Sequence, residues 1–382
     1  MKPFLRLMGL VQLLLAARVF TRMARTRDGQ RIERTQSPAE PASGVSVIVP
    51  VLDEFSRVGP CLESVRNQGS SVREILVVDG GSVDGTPDLV RAYAQLDPRI
   101  KLVDASPVPE GVNGKAYGLM FGSRASEPET DWLLTVDADV RLQPGAVDAV
   151  VHHAVNADLH VLSVATEQRV KGALLGLLHP SMLTTLVFRF GIPGHALTRV
   201  AEVQANGQCF LIRRELLQRS GGFERLLGTV AEDVTLARTI AAMGEPVGFF
   251  ETDGLVEVEM HTDGLDAWRN WPRSLPLRDR FATWQSDLGL LEVLLVQAAP
   301  PVFLLAGLLQ GGVREPFAQL QLGLLLARLG VLAGTARAYR SRPWSYWLSP
   351  LADLPVTIEI IRRSRQSSHV WRGRTLFPGD TP

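Results

Sequence analysis

The sequence predicts an α/β fold with a mostly parallel sheet, followed by apolar helices at a membrane. Three observations carry this. From Val45 onward, apolar runs of strand length alternate with helical stretches. Three of those runs exit into carboxylates: VSVIVPV before Asp53-Glu54, EILVV before Asp79, and Leu133 to Val136 before Asp137 and Asp139. Hydrophobic residues are 46% of the chain and crowd into its C-terminal third, which points to a membrane-attached protein.

Composition narrows the function classes. Lys plus Arg and Asp plus Glu are equal at 40 each, so no excess charge points to nucleic acid as a partner. Cys61 and Cys209 lie among apolar neighbours and are expected as reduced core thiols. Seven scattered histidines without a cysteine pair offer no zinc-ligand spacing.

Taken in order, Leu7 to Ala17 is an apolar run between Arg6 and Arg18. It falls short of the ~20 residues of a span and reads as an anchor or in-plane helix. Arg18, Arg22, Arg25, Arg27, Arg31 and Arg34 favour the cytoplasmic side and anionic lipid. The expected division is an N-terminal helix with its basic flank over 1–34, a linker over 35–44, a catalytic domain over 45–285, and membrane helices with a basic tail over 286–382. Within the domain, a strand at Val45 precedes a helix from Phe55 to Asn67. Glu74 to Val78 is a second strand, followed by a helix from about Pro87 to Leu96. Ile100 to Val103 is a third strand. A glycine loop then runs to Lys115, a helix from Ala116 to Arg124, and a fourth strand from Leu133 to Val136. The apolar but broken stretch Gln168 to Val200 fits either a buried helix pair or a membrane-facing, acceptor-lining segment. The turn Asn206-Gly207-Gln208 leads into a strand, and Glu232-Asp233 open a helix, where the dipole favours acids.

Two full spans are expected at Leu288 to Leu309 and Phe317 to Ala336, although Glu292, Pro300-Pro301 and Arg328 interrupt them. Arg337, Arg340 and Arg342 precede the segment Trp344 to Ile361, and Arg362, Arg363 and Arg365 follow it. Positive charge at both ends makes that segment re-entrant or interfacial rather than a crossing.

The site residues gather by strand order. Ligands of open α/β sheets bind outside the carboxyl ends of the strands. Asp79 there offers a base or ribose partner, Lys115 a phosphate cation, and Asp137 with Asp139 an oxygen site suited to Mg²⁺ or Mn²⁺. That is a nucleotide-diphosphate site. A transfer to an acceptor hydroxyl also needs a base, for which Asp233 is the candidate, with Glu232 to orient it or to contact the acceptor.

At this point the chain resembles a family-2 glycosyltransferase of GT-A fold. The matching residues are VPVLDE from Val49 to Glu54, VVDGGSVDGT from Val77 to Thr86, NGK from Asn113 to Lys115, the D-x-D of Asp137 to Asp139, NGQ from Asn206 to Gln208, GGF, and EDVTLAR from Glu232 to Arg238. They run in family order over residues 45–240. The resemblance implies an inverting, metal-dependent transfer from a nucleotide sugar, a UDP-sugar first. It places Pro50, Asp53, Glu54, Asp79, Gly81, Ser82, Lys115, Asp137 and Ala138 at the donor, and Asn206, Gly207 and Gln208 at the acceptor. It narrows toward membrane-embedded members that glycosylate lipids, such as the carotenoid, hopanoid-associated and ceramide enzymes. The closing Trp371 to Arg374 (WRGR) resembles the tail of bacterial lipid-type members. Two departures stand out. Gly80 replaces the second acid of the usual DDGS, and the Q/R-x-x-R-W motif is unmatched. Trp268, Arg269 and Trp271 occupy the corresponding place and fit either the acceptor site or a membrane interface. The rivals are a polysaccharide synthase subunit, which would share the donor site, and a non-catalytic membrane scaffold on the same fold.

Overall fold

The computed structural model describes residues 2–35, 44–277, 283–311, 315–366, 369–371 and 374–376. Residues 36–43 of the expected linker, and Arg372 and Gly373 of the WRGR tail, lie outside the described residues. Contacts divide the chain into two compact units, each assembled from separated segments. One comprises Gly29–Gln168, Pro193–Met260 and Ser367–Pro382; the other comprises Met1–Asp28, Arg169–Ile192 and His261–Gln366.

Twelve strands of the first unit position the site: β1 (Arg31–Ile32), β2 (Val45–Val51), β3 (Val72–Asp79), β4 (Ile100–Asp104), β5 (Trp132–Val136), β6 (Val140–Leu142), β7 (Val161–Ala165), β8 (Glu167–Arg169), β9 (His195–Leu197), β10 (Cys209–Arg213), β11 (Val247–Thr252) and β12 (Val256–Val258). Among the described residues the main sheet runs β1-β11-β7-β10-β5-β2-β3-β4, with β9 on β11. The β5-β2-β3-β4 half is parallel throughout. Their neighbour β10 is antiparallel to both β5 and β7. The sheet is therefore mixed and mostly parallel, as the alternation of strands and helices predicts.

Near-continuous apolar strands require cover on both faces. Alternate residues of β2 provide it. Val45, Val47 and Val49 join Val58, Cys61, Leu62 and Val65 of the helix Phe55–Arg66 in one core. Ile48 joins Ala116, Leu119 and Met120 of the helix Gly114–Ala125 in the other. Gly122 lets that helix approach, since a Cβ there would collide with Ile48 and meet Val78 at 3.1 Å. Both cysteines are free and buried, as expected, and burial pushes each thiol up to about 12.

The second unit is helical. The N-terminal helix, Lys2–Arg25, extends well past the apolar run Leu7 to Ala17, and 22 of its residues, Phe4–Arg25, are apolar enough to cross a membrane. Two of its arginines meet Glu292, which is 1% exposed: Arg18 at 2.8 Å and Arg22 at 3.0 Å. Ala173–Phe190 is a single, mostly buried helix rather than a pair, and Pro316–Ala338 completes three candidate spans among the described residues. Leu288 to Leu309 is not one straight helix. Trp284–Ala298 and Pro300–Leu309 meet at a bend of 52°, where Pro300 and Pro301 start the second piece and cannot continue the first. Trp344 to Ile361 forms a 3-10 helix, Trp344–Ala352, then the helix Asp353–Ser364. Asp353 is buried there and accepts from Arg328, Ser181 and Gln297.

Candidate active site

The site grows from the parallel half of the sheet. Because β2, β3 and β5 run the same way, Val51, Asp79 and Val136 end at one rim. The antiparallel direction of β10 brings its first residue, Cys209, opposite Val136. The turn Asn206 to Gln208 therefore enters beside Asp137, whose N–H donates to Gln208 O at 3.1 Å.

Lys115 is the hub. The sequence places it in a loop, but Asn113 caps the helix Gly114–Ala125 by accepting from the N–H groups of Lys115 and Ala116 at 3.0 and 3.2 Å. Lys115 thus stands in the first helical turn. Its Nζ lies 2.7 Å from Asp137 Oδ1, 3.0 Å from Glu232 Oε1 and 3.3 Å from Gly207 O. Burial works against the ammonium, but Asp137, Glu232 and Asp233 outweigh it and hold its pKa above the usual lysine value.

The two acids at the start of the helix Glu232–Ala242 differ in environment. Glu232 is buried between Lys115 and Asn113, whose Nδ2 donates to Glu232 Oε2 at 3.2 Å. Burial opposes its charge, but Lys115 and the hydrogen bonds prevail and hold its carboxyl below the usual range. Asp233 is partly exposed and accepts from Gly207 N and Val234 N. Burial and the neighbouring Glu232 raise its pKa to about 7 against the pull of Lys115. A carboxylate poised near 7 can take a proton from a hydroxyl; one held low beside an ammonium serves better to orient.

Asp139 faces away from Lys115's hydrogen bonds. Its Oδ1 is buried without a hydrogen-bond partner. Burial, Asp137 and Glu54 raise its pKa to about 7, opposed by Arg57 and Lys115. Among the described residues no group of three or more His, Cys, Asp or Glu converges as a metal cage. An unpartnered oxygen on Asp139 beside Asp137 still fits a divalent ion that takes one or two carboxylates and completes its shell with ligand phosphates and water.

The remaining donor candidates knit two loops together. Asp79 spends its carboxylate on its own turn, accepting from Gly81 N, Ser82 N and Ser82 Oγ. Asp53, at φ 54°, accepts from Val83 N at 2.8 Å, and its own N–H donates to Ser82 Oγ. Glu54 N donates to Thr86 Oγ1 and Phe55 N to Asp84 Oδ2. Gly81, at φ 98°, makes the turn that aims these groups. Pro50 lies against the passing helix at Gly118, and Ala138 is buried.

Asn206, Gly207 and Gln208 join this cluster; Trp268, Arg269 and Trp271 belong to the helical unit. There Trp271 is buried, 4.5 Å from the ring of His179, and Arg269 is exposed. Sequence reasoning assigned no role to Asn113, Arg57 or Thr166. The first is legible as a helix cap; the other two act only through contacts made in space.

Residues 46–221 match the family described as glycosyl transferase family 2. The N-acetylglucosaminyl-diphospho-decaprenol L-rhamnosyltransferase of Mycobacterium tuberculosis is 26% identical over 251 residues, 57% of this chain and 78% of its own length. The 4,4'-diaponeurosporenoate glycosyltransferase of Staphylococcus aureus is 24% identical over 240 residues, 60% of each chain. The chain spans 34% and 53% of the length of two Bacillus subtilis relatives. Among solved structures, the mannosyltransferase PcManGT from Pyrobaculum calidifontis, in complex with GDP-Man and Mn²⁺, aligns with a TM-score of 0.55 at 21% identity, covering 94% of this chain and 100% of that one. At that identity the likeness speaks for the fold. With the family match, the mixed sheet and the ordered motifs together, residues 46–221 carry a glycosyl transferase family 2 domain on a GT-A fold.

Proposed function

We propose that the protein is an inverting glycosyltransferase that moves a sugar from a nucleotide-diphosphate sugar, a UDP-sugar first, to a hydroxyl of a membrane lipid of carotenoid, hopanoid, sphingolipid or other isoprenoid type. The observation that carries this is the cluster at the sheet's carboxyl rim, where Lys115 holds Asp137, Glu232 and Gly207 together beside Asp233. In this reading Asp233 takes the acceptor proton as the hydroxyl attacks the anomeric carbon from the face opposite the diphosphate. Glu232 and Asn113 fix Lys115, which turns to the donor phosphates when they arrive. Asp137 and Asp139 would hold Mg²⁺ or Mn²⁺, which supplies charge stabilisation for the departing diphosphate. Asp53, Asp79 and Ser82 shape the wall for the base and ribose. A lipid acceptor is supported by the three apolar helices long enough to cross a membrane and by the lipid words in the names of two relatives. The arginines near both ends of the helical unit support a reading with the catalytic unit on the cytoplasmic side of a bacterial-type inner membrane, beside the sugar-nucleotide pool.

The test is a screen of radiolabelled UDP- and GDP-sugars against host lipid extract, with product mass determined. Membrane vesicles of both orientations are compared. A glycolipid formed only when donor is added to vesicles with the cytoplasmic face outward is the expected result. Incorporation into a water-soluble polymer would favour a polysaccharide synthase, and no turnover with any donor would favour a scaffold.

A further inference from the structure

Behind the turn that carries Gly207 lies a hydroxyl with its full hydrogen-bonding capacity in use. Thr166, 5% exposed, sits between β7 and β8. Its Oγ1 donates to Gln208 Oε1 at 2.6 Å and accepts from Gln168 Nε2 at 3.0 Å and Asn206 Nδ2 at 3.2 Å. A threonine hydroxyl has one donor and two acceptor positions, and all three are taken. Asn206 is closed in the same way. Its Nδ2 also donates to Gln208 Oε1 at 2.9 Å, its Oδ1 accepts from Gln208 N at 3.1 Å, and its backbone N and O both bond Ser163 Oγ. The side chains of this turn are therefore committed to each other and to the sheet.

The Gly207 peptide is the part of the turn that meets the acids. Its N–H donates to Asp233 Oδ2 and its carbonyl accepts from Lys115 Nζ. There is no slack at this joint: a Cβ on Gly207 would lie 2.8 Å from Lys115 Nζ and 3.2 Å from Asp233 Oδ2. We propose that Thr166 is a positioning residue that acts at a distance on the base. Through Asn206 and Gln208 it fixes the Gly207 peptide, and the peptide fixes the carboxylate of Asp233 against the acceptor hydroxyl. Asn206 and Gln208, expected from the motif to bind the acceptor, become parts of that support. A hydrogen-bonded network centred on a buried hydroxyl suits this task because it favours one arrangement, and loss of the hydroxyl leaves its partners unpaired.

The inference rests on Asp233 being the base, so the experiment is a cycle on that residue. Turnover and donor Michaelis constant are measured for wild type, Thr166→Val, Thr166→Ser, Asp233→Asn and Thr166→Val with Asp233→Asn. Thr166→Val keeps the shape and removes the hydroxyl; it should lower turnover roughly 3- to 10-fold, the scale of one net hydrogen bond, with donor Michaelis constant unchanged. Thr166→Ser should restore turnover, and Thr166→Val should cost nothing further once Asp233→Asn is present. Thr166→Cys replaces the valine variant should that one fail to fold. Wild-type turnover in Thr166→Val, or the same loss with and without Asp233→Asn, overturns the proposal. An active wild type with Asp233→Asn equally active overturns the base assignment itself, and a wild type inert with every donor overturns the functional reading on which both stand.

Discussion

Asp233→Asn separates what one carboxylate does from what it costs. Burial and Glu232 hold its pKa at about 7 in the folded chain, against an ordinary 3.8. Between those values the folded state binds more protons than the unfolded state. By linkage, its contribution to stability is full below about pH 4 and is lost as pH rises through about 7. Each unit of displacement is worth about 1.4 kcal/mol, which sets a ceiling of roughly 4 kcal/mol on the cost of the charge. The amide that replaces the carboxylate keeps one acceptor for the N–H groups of Gly207 and Val234, and forfeits about 0.5–1.5 kcal/mol of hydrogen bonding. Asp233→Asn should therefore be up to about 3 kcal/mol more stable than wild type at pH 8 and about 0.5–1.5 kcal/mol less stable near pH 4, where only the lost hydrogen bonding counts. Turnover should move the other way, falling roughly 10²- to 10⁴-fold, with nucleotide binding intact. The assays are denaturant unfolding in detergent at both pH values, calorimetric titration with the nucleoside diphosphate, and initial rates. Equal stability at pH 8 would refute the account of the buried charge. Unimpaired turnover would remove Asp233 as base, and lost nucleotide affinity would make it a donor-site residue.

Asp139→Asn should abolish transfer and weaken diphosphate binding in Mn²⁺ buffer while the fold survives; full activity of the variant in excess chelator would sink the metal assignment. Lys115→Ala releases Asp137 and Glu232 as well as the donor phosphates, so it should raise the donor Michaelis constant or lower turnover with acceptor affinity unchanged, and unaltered donor kinetics would take Lys115 out of the site. In the helical unit, Arg328 Nε lies 2.8 Å from Asp353 Oδ2, with both side chains 1% exposed. Arg328→Met strands a buried carboxylate and should cost about 3–5 kcal/mol of stability, whereas pairing it with Asp353→Leu should recover most of that loss. A melting point unchanged by Arg328→Met alone would show that the pair is not desolvated as described.

The sequence by itself determined the strands and the rim. Apolar runs that end in carboxylates, spaced by helices, dictate parallel strands whose ends share one edge, and that alone gathers Asp79, Lys115 and Asp137. It also determined that Asp233 opens a helix, because paired acids before an apolar periodic run are a helix start. Tertiary structure decided the partners. That β10 runs antiparallel between β5 and β7 is a matter of sheet order, invisible along the chain, and it is what sets Gly207 beside Asp137. The different characters of Glu232 and Asp233 follow from which of two adjacent carboxylates meets Lys115, a contact between helices far apart in sequence. The same holds for the helices. Arg18 and Arg22 read as a basic flank and Glu292 as an interruption in an apolar run, and only packing pairs them. Hydrophobic periodicity is local and can be read in order, whereas charge compensation is a property of neighbours in space, and in this chain those neighbours lie up to 274 residues apart.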